Sequence, residues 1–282
     1  MMKKNRDVNG LKKKAIKLRR DILIMLEKAG SGHTGGSLSI VEILVALYYG
    51  RMRIDPGKRD WKERDKFILS KGHGCPALYA VLADLGFFPE EELWTLRRIG
   101  SRLQGHPQLG LPGVEISSGS LGQGLSVAGG FALGDRMDGI DARVYCLMGD
   151  GETNEGQVWE AAMTAAHYKL DNLCGIIDCN KLQIDGFCRE VKDPGEYRKK
   201  WESFGWYAVE VDGHDFERLD NAFDEVQAVK GKPQMVIAHT VKGKGVSFVE
   251  NKVEWHGIAP KKDELEKALA ELDEQEKALA DS

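Results

Sequence analysis

Asp150 stands between two glycines at the end of the apolar run Arg143-Val-Tyr-Cys-Leu-Met148, in the turn Gly149-Asp150-Gly151. The two glycines permit a tight turn and let a ligand approach the backbone. A helix expected from about Gly156 points its first N–H groups into the same space, and a helix N-terminus beside a hard carboxylate suits a phosphate ester carrying a magnesium ion. A second apolar run, Leu173-Cys-Gly-Ile-Ile-Asp178, leads to Asn180, thirty positions after Asp150. One helix and one strand fill that span, so Asp150 and Asn180 are expected on neighbouring strand ends. With a loop carbonyl, Leu182 by position, they offer three oxygens to an octahedral ion whose sphere diphosphate oxygens and water complete. Taken alone, a Gly-Asp-Gly turn is more often plain structure.

Histidines form the second set. Four of the seven lie in glycine-containing loops: Ser31-Gly-His33, Leu69-Ser-Lys-Gly-His73-Gly, Gly105-His106-Pro107 and Trp255-His256-Gly257. Imidazoles titrate near neutral pH and both donate and accept protons, which suits general acid and base work. A single loop histidine is more often structural, and His167, His214 and His239 keep that reading. Lys242-Gly-Lys-Gly245 reads equally as a phosphate-assisting segment or a solvated loop. Five cysteines without a C-x-x-C pair favour buried thiols over disulfides or zinc.

These residues need a scaffold of alternating elements. Strand-like runs fall at Lys66–Ser70, Arg143–Met148, Leu173–Asp178, Tyr207–Val211 and Gln234–His239. Helical patterns fall at Leu11–Lys28, Pro76–Leu85, Leu121–Met137, Gln157–Tyr168 and Phe216–Val229. Ser39-Ile-Val-Glu42 reads as a capping box opening a further helix to about Tyr49. The pattern predicts an α/β fold, a doubly wound, mainly parallel sheet with helices on both faces, whose ligands sit outside the carboxyl ends of the strands. Residues 1–260 read as one diphosphate-binding domain and 261–282 as an amphipathic helical tail packed on it.

Composition narrows the class. A net charge of −4 over 282 residues argues against a broad positive field for nucleic acid. The basic start (Lys3, Lys4, Lys12, Lys13, Lys14, Lys17, Arg19, Arg20) reads as a solvated helix face. No apolar run approaches the roughly 18 residues of a membrane span, nor does the start resemble a signal peptide, which predicts a cytoplasmic protein. No G-x-G-x-x-G follows an early strand, which disfavours a nicotinamide-binding domain.

The histidine loops, with Ser118-Gly119-Ser120-Leu121-Gly122-Gln123-Gly124 and the Gly-Asp-Gly…Asn pair, occur in the order found in transketolases, and the sequence from about Leu11 to Pro260 resembles that family. The resemblance implies a thiamine-diphosphate-binding fold with Mg2+, or Ca2+ or Mn2+ in its place, held by Asp150, Asn180 and Leu182. It implies His33 and His106 toward substrate oxygens and His73 and His256 on the cofactor side. Gly119, Leu121, Gly122, Gly149 and Gly151 would approach the cofactor through backbone, and Glu155 and Glu160 would lie near an interface linking paired active sites. Thr34, Lys71, Ser120 and Glu152-Thr-Asn154 depart from the usual pattern. Only the first of the three transketolase domains is represented. This resembles the N-terminal subunit of a split transketolase, which would use sugar phosphates of the pentose phosphate pathway in a heterotetramer with a subunit carrying the pyrimidine and C-terminal domains. Alternatives are ketol transfer on an unusual sulfonated or branched sugar, a deoxyxylulose phosphate synthase, the alpha chain of a 2-oxo acid dehydrogenase, or a non-catalytic regulatory subunit.

Overall fold

Helical spacing of Ala15, Leu18, Ile22 and Met25 gives α1 (Val8–Ala29) a buried stripe, and Gly30 ends the helix in the left-handed conformation. The computed structural model describes residues 7–58 and 60–281. Two short helices follow, α2 (Thr34–Leu38) and α3 (Val41–Tyr48), and then β1 (Lys66–Leu69) and α4 (Cys75–Asp84). A long connection leads to α5 (Gly124–Met137), β2 (Val144–Gly149), α6 (Gly156–His167) and β3 (Leu173–Cys179). A small hairpin, β4 (Leu182–Gln183) and β5 (Gly186–Phe187), precedes α7 (Cys188–Lys192), α8 (Tyr197–Ser203), β6 (Tyr207–Asp212), α9 (Phe216–Ala228), β7 (Gln234–His239) and α10 (Lys262–Ala280).

The main sheet has the order β1-β2-β3-β7-β6, with every neighbouring pair parallel. Successive side chains of a strand point to opposite faces, and here both faces are buried. Phe67, Leu69, Tyr145, Leu147, Cys174, Ile176, Val236 and Ala238 enter a core with α1, α3, α4, α9 and α10. Ile68, Val144, Cys146, Met148, Leu173, Ile177, Met235 and Ile237 enter a second core with α5, α6 and Trp201 of α8. The α/β reading holds. In α10, Ala268 and Leu272 are fully buried in the first core, and Arg20 pairs with Asp273 and Glu276.

Local expectations need correction. Ser39 and Glu42 form no capping box; the hydroxyl of Ser39 donates to Asp178, and Glu42 is taken by Arg19 and His214. Arg19 is buried in that bidentate pair and does not belong to a solvated basic face. Lys3 and Lys4 lie outside the described residues. Leu121–Gln123 form a turn rather than the first turn of α5, leaving the Gly122 N–H free to reach a side chain. All five cysteines are buried free thiols.

Candidate active site

The parallel register aligns Gly149 with Asp178, so the turns after β2 and β3 open side by side. Asp150 is buried there, accepting from the Gly151 N–H at 2.8 Å and the Lys181 N–H at 2.5 Å. Burial and the neighbouring Asp178 push its carboxyl up to about 6. Asn180 donates through Nδ2 to Asp178 Oδ2 at 2.8 Å, which fixes its amide flip. Its Oδ1 therefore faces Leu182, whose N–H it accepts at 3.1 Å.

Around Asp150, the chain thus brings one carboxylate, one amide oxygen and the Leu182 carbonyl to one strand-end corner. Among the described residues, no three His, Cys, Asp or Glu side chains gather as a metal cluster. The oxygen set suits a hard divalent ion that keeps outside oxygens in its sphere, and not zinc. A second polar cluster backs this corner. Lys71 Nζ lies 2.6 Å from Asp178 Oδ2 with both groups buried, and donates also to the Gly36 carbonyl at 2.9 Å. Burial alone would raise Asp178, but Lys71, Thr240 and Ser39 outweigh it and hold the carboxyl below its usual range.

Four histidines converge beside these groups. The His33 ring centroid lies 5.2 Å from His73, 6.2 Å from His106 and 5.6 Å from His256, and His73 lies 5.4 Å from His256. They come from four separate loops, so only the fold can have assembled them. Burial, and then the cations and rings nearby, lower His33 to about 4 and His256 to about 3. Both are neutral imidazoles near pH 7. Lys242 ties the two halves of the site together. Its ammonium donates to the Leu182 carbonyl at 3.3 Å and to His256 Nδ1 at 2.7 Å, which leaves the His256 proton on Nε2. Lys242 is 1% exposed, so the solvated-loop reading fails. Burial, then Lys71, lowers its amine to about 8.

Backbone explains the glycines. Gly119 has φ +143° and packs against His106, whose Cδ2 would lie 2.9 Å from an added Cβ. Gly122, at φ +83°, would meet the Glu155 Cβ at 2.6 Å. Leu121 is half-buried beside it. Glu155 and Glu160 are exposed on α6 and its entry, outside the buried cluster. His167 is exposed on α6, and His239 pairs with Glu210 at the surface.

Sequence reasoning missed Glu152. Its buried carboxylate accepts from Ser70 Oγ, from the Gly122 N–H at 2.9 Å and from the Gly149 N–H at 3.0 Å, tying three site loops together. Burial raises its carboxyl, and those donors only partly oppose the rise. Lys71 and Asp178 were missed as a pair. The available signal was a carboxylate ending an otherwise apolar strand, which must find a cation or donors.

Residues 11–278 match the family described as transketolase, thiamine diphosphate binding domain. The chain is 44% identical to the 6-deoxy-6-sulfo-D-fructose transketolase subunit SqwG of Clostridium sp. (strain MSTE9), covering 92% of this chain and 94% of that one. It is 45% identical to an apulose-4-phosphate transketolase subunit from Actinobacillus succinogenes, covering 96% and 99%. Against Homo sapiens transketolase the identity is 42%, covering 94% of this chain but 42% of that protein. The structure of Campylobacter jejuni transketolase superposes with a TM-score of 0.87 at 29% identity, covering 98% of this chain and 48% of that one. Fold, motif order and full-length likeness to transketolase subunits agree, and the chain belongs to the transketolase family as its N-terminal, thiamine-diphosphate-binding subunit.

Proposed function

We propose that this chain holds thiamine diphosphate and a divalent ion, Mg2+ or Ca2+ or Mn2+ in its place, at the β2–β3 edge. With a companion subunit carrying the pyrimidine and C-terminal domains, it transfers a two-carbon ketol unit from a ketose phosphate to an aldose phosphate. The bound cofactor supplies the nucleophilic carbon and the electron sink. This chain supplies the grip and the proton handling. Asp150, Asn180 and the Leu182 carbonyl hold the ion, and buried Lys242 faces the diphosphate. His73 and His256 line the cofactor, while His33 and His106 meet the substrate oxygens. Glu155 and Glu160, exposed at the entry to α6, belong to a surface through which paired active sites self-associate in a heterotetramer. A cytoplasmic site of action fits; among the described residues no helix is long and apolar enough to cross a membrane.

The observation that carries this reading is the meeting of four loop histidines beside an oxygen-only metal corner, joined through Lys242. Calorimetry of the chain with its companion, titrated with thiamine diphosphate and Mg2+, is expected to show saturable binding. Turnover of xylulose 5-phosphate with ribose 5-phosphate is expected only when both subunits are present, and to fall in His106→Ala. Binding without turnover on any sugar would leave a regulatory subunit instead. A second reading, that the donor is a sulfonated or branched sugar phosphate analogue, is favoured by the names of the two full-length relatives. Its test is the same assay with a sulfonated or branched ketose, compared by kcat/KM.

A further inference from the structure

Lys242 is held by more than its own side chain. The ring of His214, on the turn after β6, receives the Val241 N–H on Nε2 at 2.8 Å, one residue before Lys242. An imidazole that accepts on Nε2 carries its proton on Nδ1, and Nδ1 lies 2.9 Å from Glu42 Oε2. Glu42 also takes Arg19 in a two-pronged pair at 2.7 and 2.8 Å. Arg19 then uses its remaining Nε to donate to the Lys244 carbonyl at 2.7 Å, two residues after Lys242. Gly245, at φ +96°, lies so close that an added Cβ would sit 2.8 Å from Arg19 Cδ. The Gly243 N–H completes the seat on the Gly35 carbonyl at 3.0 Å.

One buried carboxylate on α3 therefore grips the 241–245 segment on both sides of Lys242, through two different side chains. A surface loop needs no such device. Burying charged groups is costly unless every one is paired, and a fully satisfied network specifies one arrangement. The ammonium at the centre has three N–H donors. Two are used, on Leu182 and His256, and the third has no partner among the described residues.

We propose that Glu42, acting through His214 and Arg19, is the positioning device that aims the third N–H of Lys242 at the diphosphate of the cofactor. His214 and Glu42 are positioning residues; neither is placed against the cofactor. This rests on the thiamine diphosphate reading above, and the experiment separates the two.

The test uses two replacements that each keep half of the His214 geometry. In His214→Gln the amide oxygen replaces Nε2 as acceptor for Val241 and loses the bond to Glu42. In His214→Asn the amide nitrogen replaces Nδ1 as donor to Glu42 and loses Val241. Hydrogen exchange of the 241–246 segment is measured on the cofactor-free chain with its companion subunit. Affinity for thiamine diphosphate with Mg2+ is then measured by calorimetry. Each variant breaks the Glu42–His214–Val241 line at one link, so both are expected to speed exchange and weaken affinity, His214→Asn by about tenfold, ~1.4 kcal/mol. Adding His214→Asn to Lys242→Met should cost no further affinity, as coupled residues behave in a double-mutant cycle.

Wild-type exchange and affinity in His214→Gln, which cuts only the bond to Glu42, or an undiminished cost of His214→Asn in the Lys242→Met background, would overturn the positioning role. Faster exchange with unchanged affinity would overturn the link to the cofactor. Wild type without affinity for thiamine diphosphate would remove the cofactor reading and that link, while the exchange arm still decides whether His214 holds the loop.

Discussion

Two carboxylates occupy adjacent strand ends, yet they have opposite electrostatics. Asp178, at the end of β3, is completed from within the chain by Lys71, Ser39, Thr240 and Asn180, and its carboxyl is held down. Asp150, after β2, receives two backbone N–H groups and the Cys188 thiol, makes no ion pair among the described residues, and is pushed up to about 6. Similar burial therefore serves two ends. Asp178 is a closed structural charge, whereas Asp150 keeps acceptor capacity that the proposed divalent ion would use. Under the proposed function, the contrast marks where the fold stops and the ligand begins.

The largest effect expected is on the closed side. Lys71→Met leaves Asp178 buried without its cation and should cost ~3–5 kcal/mol of stability, since removing one partner of a buried pair strands the other. Urea unfolding of the cofactor-free protein measures this. A loss below ~1 kcal/mol, the level of an exposed pair, would mean that Lys71 is not the compensating charge.

Asp150→Asn should behave in the reverse manner. It gives up one accepted hydrogen bond but also relieves a buried charge, so the unliganded stability should change by no more than ~1 kcal/mol. Binding is where it should fail. Wild type is expected to gain several degrees of Tm from thiamine diphosphate with Mg2+, as any ligand of the native state provides, and the variant none. An equal gain in both would end the assignment of Asp150 to the ion.

Glu152→Gln is a smaller probe on the same edge. The amide keeps one acceptor oxygen for the Gly122 N–H and the Ser70 hydroxyl, but turns an N–H2 toward the Gly149 N–H. One lost bond and one opposed donor predict ~1–3 kcal/mol of destabilisation. The same urea series reads it, and a neutral result would place the loop-tying role elsewhere.

How much of this was legible follows the range of the interactions. The parallel sheet and most helices follow from local periodicity, because strands buried on both faces read as short apolar runs. The strand-end positions of Asp150 and Asn180 follow from spacing alone. Ser39 and Glu42 fit a capping box locally and were misread, because both side chains answer to residues far along the chain, Asp178 and His214. Lys71, Glu152 and Arg19 were hidden for the same reason. A charged residue in sequence looks like surface until the partner that permits its burial is known.

The smallest effect tests whether the histidine cluster is as dry as its geometry implies. Burial, followed by His106 and Arg97, lowers His33 from 6.5 to about 4. Between those values the unfolded chain binds a proton at His33 that the folded chain refuses, so stability rises with pH across the window. The contribution is intact above about pH 6.5 and is lost progressively as the pH falls toward about 4. His33→Asn removes this proton uptake without removing a hydrogen-bonding side chain. Its unfolding free energy should therefore fall less steeply with acid than that of wild type, by at most one proton's worth, ~1.4 kcal/mol per pH unit. Parallel profiles would mean that His33 is hydrated in the folded chain and takes up its proton there as readily as in the unfolded one. The cluster would then be open to water on this side, and under the proposed function any dryness that proton transfer at His33 requires would have to come from the proposed companion subunit.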